Sequence, residues 1–193
     1  MSAPKSVIVG LGNPILSDDA VGIVVAHRVY ESLNPTVCQT ATNCDAGVDF
    51  IEAGVGGFEL VEMLYGYDKA VIVDAMQTDH ASPGEFFLVD LSTVAPPEIP
   101  TVCQTPTNCA MTHHVGLVEG LELARRLNMR VPRSVRVYGI EVEDITTFGT
   151  SMTDAVAAAV PRMVEHILSA EFSMFTHSLS NGDKLCRRVR TLS

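Results

Sequence analysis

Ala70-Val71-Ile72-Val73-Asp74-Ala75 is the stretch on which the reading of the fold turns. Ala, Val, Ile and Val in succession leave no polar side for water, so the segment reads as a strand covered on both faces. Such strands belong to parallel sheets, whose crossover connections lay helices on each face. The surrounding chain supplies the pieces. Residues 6–10 (Ser-Val-Ile-Val-Gly) form a second buried strand, and 19–33 a helix with a near-continuous apolar face. Further strands are expected at 48–53 and 134–141, and helices at 58–65, 114–127 and 152–168. A strand at 85–90 either pairs with 70–75 or lies at an edge. The expectation is a single-domain, three-layer α/β fold, with a mostly parallel twisted sheet between helices on both faces.

Composition bounds the function. The chain has 193 residues, 47% hydrophobic and 19% charged, which suits one well-packed globular domain. Its formal charge of -10 opposes a general nucleic-acid partner, because a phosphate backbone would be repelled over most of the surface. No apolar run approaches the roughly 20 residues that span a bilayer. Residues 1–6 carry a single Lys and lead into a strand, unlike a signal peptide, so a cytoplasmic location without a membrane partner is expected. The domain is placed at 1–170. Residues 171–193, with the basic cluster Lys184, Arg187, Arg188 and Arg190, read as a solvated, flexible tail.

One oddity interrupts the alternation. Residues 35–44 read PTVCQTATNC and 100–109 read PTVCQTPTNC, matching at nine of ten positions. Both copies are rich in Thr, Asn and Pro and fall in connections, so they read as inserted surface loops. Cys38 and Cys44, with Cys103 and Cys109, make two Cys-x5-Cys pairs. Tight metal knuckles have two to four intervening residues, and an odd total of five cysteines without secretory context argues against a disulfide framework. Passive insertion is the expected reading.

In a parallel sheet, ligands bind outside the carboxyl ends of the strands. The first strand runs out into Gly10-Leu11-Gly12-Asn13-Pro14, then Ile15-Leu16-Ser17-Asp18-Asp19-Ala20-Val21-Gly22. A dinucleotide fingerprint would need a third glycine at position 15, where Ile15 stands. Ser17 or Asp18 is suited to cap the following helix, and acids in a first turn complement its dipole, which accounts for one of the two aspartates and not both. Asp74 ends its strand, where a carboxylate is expected to face the crevice. His113 and His114 open a helix, and one of the two is expected to face the same edge. Two carboxylates and an imidazole with open positions form a donor set for a transition metal that must also take ligands from a partner. Asp18 and Glu52, the latter near the end of the second strand, are reserve acids.

Read together, GLGNPILSDDAVG, VIVDA, THHVGL and GIEVEDITTFGTSMTDAVAAAV resemble the hydrogenase maturation proteases, in the family's order and over residues 5–170 apart from the insertions. The resemblance implies a twisted α/β sheet and an endopeptidase that cuts the C-terminal extension from a nickel-iron hydrogenase large-subunit precursor once nickel is in place. It implies metal-contacting residues at Asp19, Asp74 and His113, with His114 as the alternative register for the histidine, and catalytic roles for Asp19 and Asp74. The nickel would be borne by the substrate, and other divalent ions would fit the same donors. No Ser-His-Asp set or activated Cys offers a covalent route, so the implied chemistry is attack by an activated water.

Two other readings remain. Peptidyl-tRNA hydrolases open with a similar strand and GLGNP, but their motif continues differently from Ile15–Asp19, and the acidic surface opposes tRNA. A nickel-checking chaperone of the same precursor would use the same three ligands without cutting.

Overall fold

The computed structural model describes residues 5–34, 47–78, 80–92, 112–149 and 151–173, with the backbone alone for 112–115. Both cysteine repeats and the basic tail cluster lie outside the described residues. The elements are β1 (Ser6–Leu11), a 3-10 turn (Asp18–Ala20), α1 (Val21–Leu33), β2 (Val48–Ala53), α2 (Gly57–Met63) and β3 (Lys69–Met76). After these come β4 (Phe86–Asp90), α3 (Thr112–Arg126), β5 (Ser134–Glu141) and α4 (Asp154–Glu171).

The strands form one five-stranded sheet in the order β2-β1-β3-β5-β4. All neighbours are parallel except β4, which runs antiparallel to β5. The sequence left β4 either beside β3 or at an edge; it takes the edge, against β5. Its burial explains why: Phe86–Asp90 alternates between half-buried and exposed positions, whereas β3 is buried from Ala70 through Met76. A strand with one wet side fits an edge and not a centre.

Two cores flank the sheet. On one face Ile8, Val71, Val73, Tyr138 and Ile140 pack with α1 and α4 through Val25, Val29, Val160 and Met163. On the other, Val7, Val9, Ile72 and Val137 pack with α2 and α3 through Leu60, Val61, Leu117 and Leu121. The alternation along β3 thus sends odd positions toward α1/α4 and even positions toward α2/α3. Truncating a fully buried member such as Ile72 to Ala would cost about 2–5 kcal/mol. The core continues past the expected boundary at 170: α4 runs to Glu171, and Phe172 is buried against the α1/α4 face.

The chain leaves β1 for β2 on one side, then returns to β3 on the other, so the strand order reverses between β1 and β3. That reversal opens a crevice at the carboxyl ends. The start of α1 lies directly over it. A Cβ at Gly22 would collide with the carbonyl oxygens of Leu11 and Val73, so only glycine permits this close approach.

Candidate active site

The segment after β1 is built around Asp19. Gly12 turns the chain at φ +137°, where a side chain would be strained and would strike the Asp19 carbonyl. The Asn13 amide then donates to Asp19 Oδ2 at 2.8 Å, fixing the half-buried carboxylate at the rim. Around it lies a cleft of about 440 Å³ lined by Gly12, Asn13, Pro14, Asp19, Glu52 and Gly54. The parallel register sets Glu52 opposite Gly10, so the exposed reserve acid on β2 joins Asp19 on one wall.

Asp18 does something else. It is fully buried, and its Oδ2 accepts from the amides of Glu143 (3.2 Å) and Asp144 (3.0 Å) and from Thr153 Oγ1 (3.0 Å). Its Oδ1 accepts from the Thr153 amide at 2.7 Å. Ser17, expected with Asp18 as a cap, donates instead to the Ser151 carbonyl at 2.8 Å. Neither residue caps a helix, and α1 begins at Val21 after a 3-10 turn and not at residue 19. The reason is competition: the β5–α4 connection offers these side chains bonds across the sheet edge. With its oxygens committed to four donors, Asp18 is a clamp between two loops and not the reserve base.

Asp74 corrects another expectation. It is only 2% exposed, and β3 continues two residues beyond it, so its carboxylate is buried where the sequence led one to expect exposure. Strand alternation puts it on the α2/α3 face with Ile72 and Met76. Asp74 lies opposite Gly139 on β5, and two residues further along Met76 lies opposite Glu141. Glu141, also 2% exposed, accepts from the Thr78 amide and hydroxyl at 2.7 Å each. The sequence reading missed Glu141, although the signal was the one that picked out Asp74, an acid where a buried strand runs out.

His113 enters through topology. The C-terminal end of α3 leads into Arg130, whose guanidinium reaches Asp68 at the start of β3. At about 1.5 Å per residue, a helix of this length returns to the level of the strand carboxyl ends. Gly116, one turn in, meets Gly57, which follows the carboxyl end of β2. The first turn of α3, with His113 and His114, therefore stands over the crevice on the face Asp74 occupies. The histidine side chains lie outside the described residues. Among the described residues no three His, Cys, Asp or Glu side chains converge on one point.

The opposite rim is the β5–α4 connection. Asp144 Oδ1 accepts from the amides of Thr146 and Thr147. Hydrogen bonding by Thr147, then by Thr146, lowers its carboxyl to about 2, so it is ionised throughout the neutral range.

A parallel sheet with acids at its reversal point offers a ligand site at the carboxyl edge, and comparison with known proteins gives its class. The model of the hydrogenase maturation protease family matches residues 28–170. The chain belongs to the hydrogenase maturation protease family, and it is a peptidase. The match takes in Asp74 and His113 and begins after Asp19. The hydrogenase 2 maturation protease of Escherichia coli K12 is 24% identical over 166 residues, covering 86% of this chain and 90% of that protein. The hydrogenase expression/formation protein HoxM of Azotobacter vinelandii is 27% identical over 158 residues, covering 82% of this chain and 68% of HoxM. The solved hydrogenase maturating endopeptidase HybD of E. coli shares the fold with a TM-score of 0.60 at 23% identity, covering 86% and 91% of the two chains. HybD of Thermococcus kodakarensis does so with a TM-score of 0.58 at 24% identity, covering 86% and 97%. Among the described residues no helix is long and apolar enough to cross a membrane.

Proposed function

We propose that this chain removes the C-terminal extension of a nickel-iron hydrogenase large-subunit precursor, and that nickel carried by the precursor is what it recognises. What supports this reading most directly is membership of this family, together with a crevice at the sheet reversal whose rim carries Asp19.

Carboxylates and an imidazole are donors that a borderline divalent ion accepts alongside thiolates from another protein. On this reading Asp19, Asp74 and His113 bind the substrate's nickel, which registers that the metal is loaded and sets the scissile peptide over the crevice. Asp19 and Asp74 are also assigned the catalytic role. A water positioned there attacks the peptide carbonyl, the C–N bond breaks, and the leaving amine takes a proton. Glu52, on the cleft wall with Asp19, is a further acid to carry that proton. The work takes place in the cytoplasm, where the precursor is made.

The test is incubation of the protein with nickel-loaded and nickel-free precursor, followed by mass measurement of the large subunit. Loss of the tail from the loaded form alone is expected. A stable complex with the tail retained would replace the peptidase assignment for this precursor with a chaperone role. Equal cleavage of both forms would remove nickel from the recognition step.

A further inference from the structure

Glu141 is a buried acid at the carboxyl edge that the proposed chemistry leaves without a task. It is 2% exposed and closes the β3/β5 ladder opposite Met76. Alternation from Val135 and Val137 puts it on the α2/α3 face, which Asp74 shares with Ile72 and Met76. Its backbone is fixed from the β4 side: the Glu141 amide donates to the Glu85 carbonyl, and its carbonyl accepts from the Gly84 amide, at 2.8 Å each. From that platform the carboxylate reaches the chain leaving β3. Oε1 accepts from the Thr78 amide and Oε2 from the Thr78 hydroxyl, at 2.7 Å each. Two more bonds close the same seam: the Val142 amide donates to the Met76 carbonyl at 2.9 Å, and Gln77 Nε2 to the Glu143 carbonyl at 3.2 Å. Met76, Gln77 and Thr78 are thus each tied to the exit of β5.

The seam bears on both site acids. Asp74 lies opposite Gly139, and a Cβ there would strike the Met76 thioether and the Phe87 ring. The Met76 side chain therefore lies where β5 would otherwise send a side chain beside Asp74. Met76 is also the last residue of its strand, and strand ends open first unless something holds them. On the other side, the Glu143 amide donates to Asp18 Oδ2 at 3.2 Å, and the next residue, Asp19, is oriented by the Asn13 amide. One exit, residues 141–144, is therefore bonded to the supports of both acids.

We propose that Glu141 is a positioning residue for Asp74. By holding Thr78 it keeps β3 on the sheet for two residues past Asp74, and with Glu143 and Asp18 it fixes the β3 exit relative to the Asp19 connection. This rests on the reading of Asp19 and Asp74 as residues that meet the substrate's nickel, and adds the group that sets their arrangement. The role asks for acceptors and not for charge. In Glu141→Gln the side-chain oxygen would still accept from the Thr78 amide, and the Thr78 hydroxyl can turn to accept from the side-chain nitrogen. Glu141→Ala would lose both bonds.

The test measures single-turnover cleavage of nickel-loaded precursor and, separately, binding of nickel(II) alone by calorimetry, both per folded molecule. Glu141→Ala is expected to lower the cleavage rate and the nickel(II) affinity by about tenfold or more, the range for losing a group that orients metal ligands. Glu141→Gln should recover most of both losses. Thr78→Val, which deletes the hydroxyl and keeps the amide bond at a half-buried position, should be intermediate, and Thr78→Ser should restore what it loses. The two Thr78 variants carry the comparison if Glu141→Ala does not fold. Lower stability with normal cleavage and normal nickel(II) affinity would overturn the proposal and leave Glu141 a purely structural tie. A Glu141→Gln variant as impaired as Glu141→Ala would overturn it as well, because the carboxylate charge would then act directly. An unaltered protein that binds nickel(II) and does not cut the precursor is a separate failure, that of the peptidase reading, and the affinity series still decides the role of Glu141.

Discussion

The two ends of the central sheet handle acids differently. At the amino ends carboxylates meet cations. Asp49 takes Lys5 at 3.0 Å, Asp90 takes Arg136 at 3.5 Å, and Glu171 takes both Lys69 and Arg136 at 2.9 Å. At the carboxyl ends the bonds that orient the acids come from neutral donors: backbone amides and Thr153 for Asp18, the Asn13 amide for Asp19, and Thr78 for Glu141. A cation ties a carboxylate to another element by charge, whereas backbone amides fix its orientation. The amino end therefore reads as an anchoring device, closing α4 onto β3 and β5. The carboxyl end holds its acids in fixed orientations at the edge where a parallel sheet takes its ligands.

This contrast is broken most directly at Asp19, Asp74 and His113. Asp19→Asn, Asp74→Asn and His113→Ala are each expected to lower precursor processing by about 10²-fold or more, the lower bound for losing a group that handles protons or metal. Folding is expected to be retained, and single-turnover cleavage read by mass is the measurement. Processing at the normal rate by any one of these variants would remove that residue from the site. Next in size is Asp18→Ala, which strips an acceptor from the amides of Glu143, Asp144 and Thr153. It is expected to cost about 3 kcal/mol in urea unfolding, since buried donors would lose their partner. A loss of activity without any loss of stability would reverse the assignment of Asp18 as a clamp.

At the amino end the expectation runs the other way. Glu171 has a side chain 1% exposed, while its partners Lys69 and Arg136 stay 25% and 34% exposed. Water therefore screens part of the pair, and Glu171→Gln is expected to cost about 2 kcal/mol, less than for a wholly buried ion pair. Cleavage per folded molecule should not change, because the nearest part of the crevice lies a full strand length away. Lower activity at full stability would mean the anchor also serves the site.

How much of this the sequence disclosed depends on whether the signal was local. The two-sided burial of Val71-Ile72-Val73 is written in the residues themselves, and the three-layer fold followed from it. Asp74 could be pointed to because it stands near a strand end, and Asp19 because it lies in the connection that leads from β1 into α1. The role of Asp18 could not be read, because its partners Glu143, Asp144 and Thr153 lie more than 120 residues away and contribute mainly backbone amides. Pattern has no access to such bonds, so the adjacent Asp18 and Asp19 looked interchangeable. Burial of Asp74 was misjudged for a related reason: the strand runs past the expected 70–75 to Met76, and what covers its end comes from elements distant in sequence.

The smallest effect, taken per group, is the pH response of the amino-end anchor. Burial alone would push the Glu171 carboxyl up, but hydrogen bonds from Lys69, Tyr138 and Arg136 outweigh it and hold it below its ordinary 4.5. The Tyr67 hydroxyl and Lys5 lower Asp49, and Ser92 and Arg136 lower Asp90, from an ordinary 3.8. Carboxyls depressed by folding contribute stability that is present above those ordinary values and is lost as pH falls through the folded ones. Tyr138 shifts the opposite way: burial first, then its hydrogen bond to Glu171, raises the phenol above 10.0. Its contribution is complete below pH 10.0 and is lost as pH rises toward the folded value. Stability should thus stay level from pH 6 to 9 as far as these groups decide it, fall off below about pH 4.5, and fall again above about pH 10. Glu171→Gln should remove its own part of the acid arm and weaken the alkaline arm only partly, because burial of Tyr138 persists. Urea midpoints measured from pH 3 to 11 on both proteins test this, and identical acid arms would show that Glu171 is not the anchor the geometry makes it.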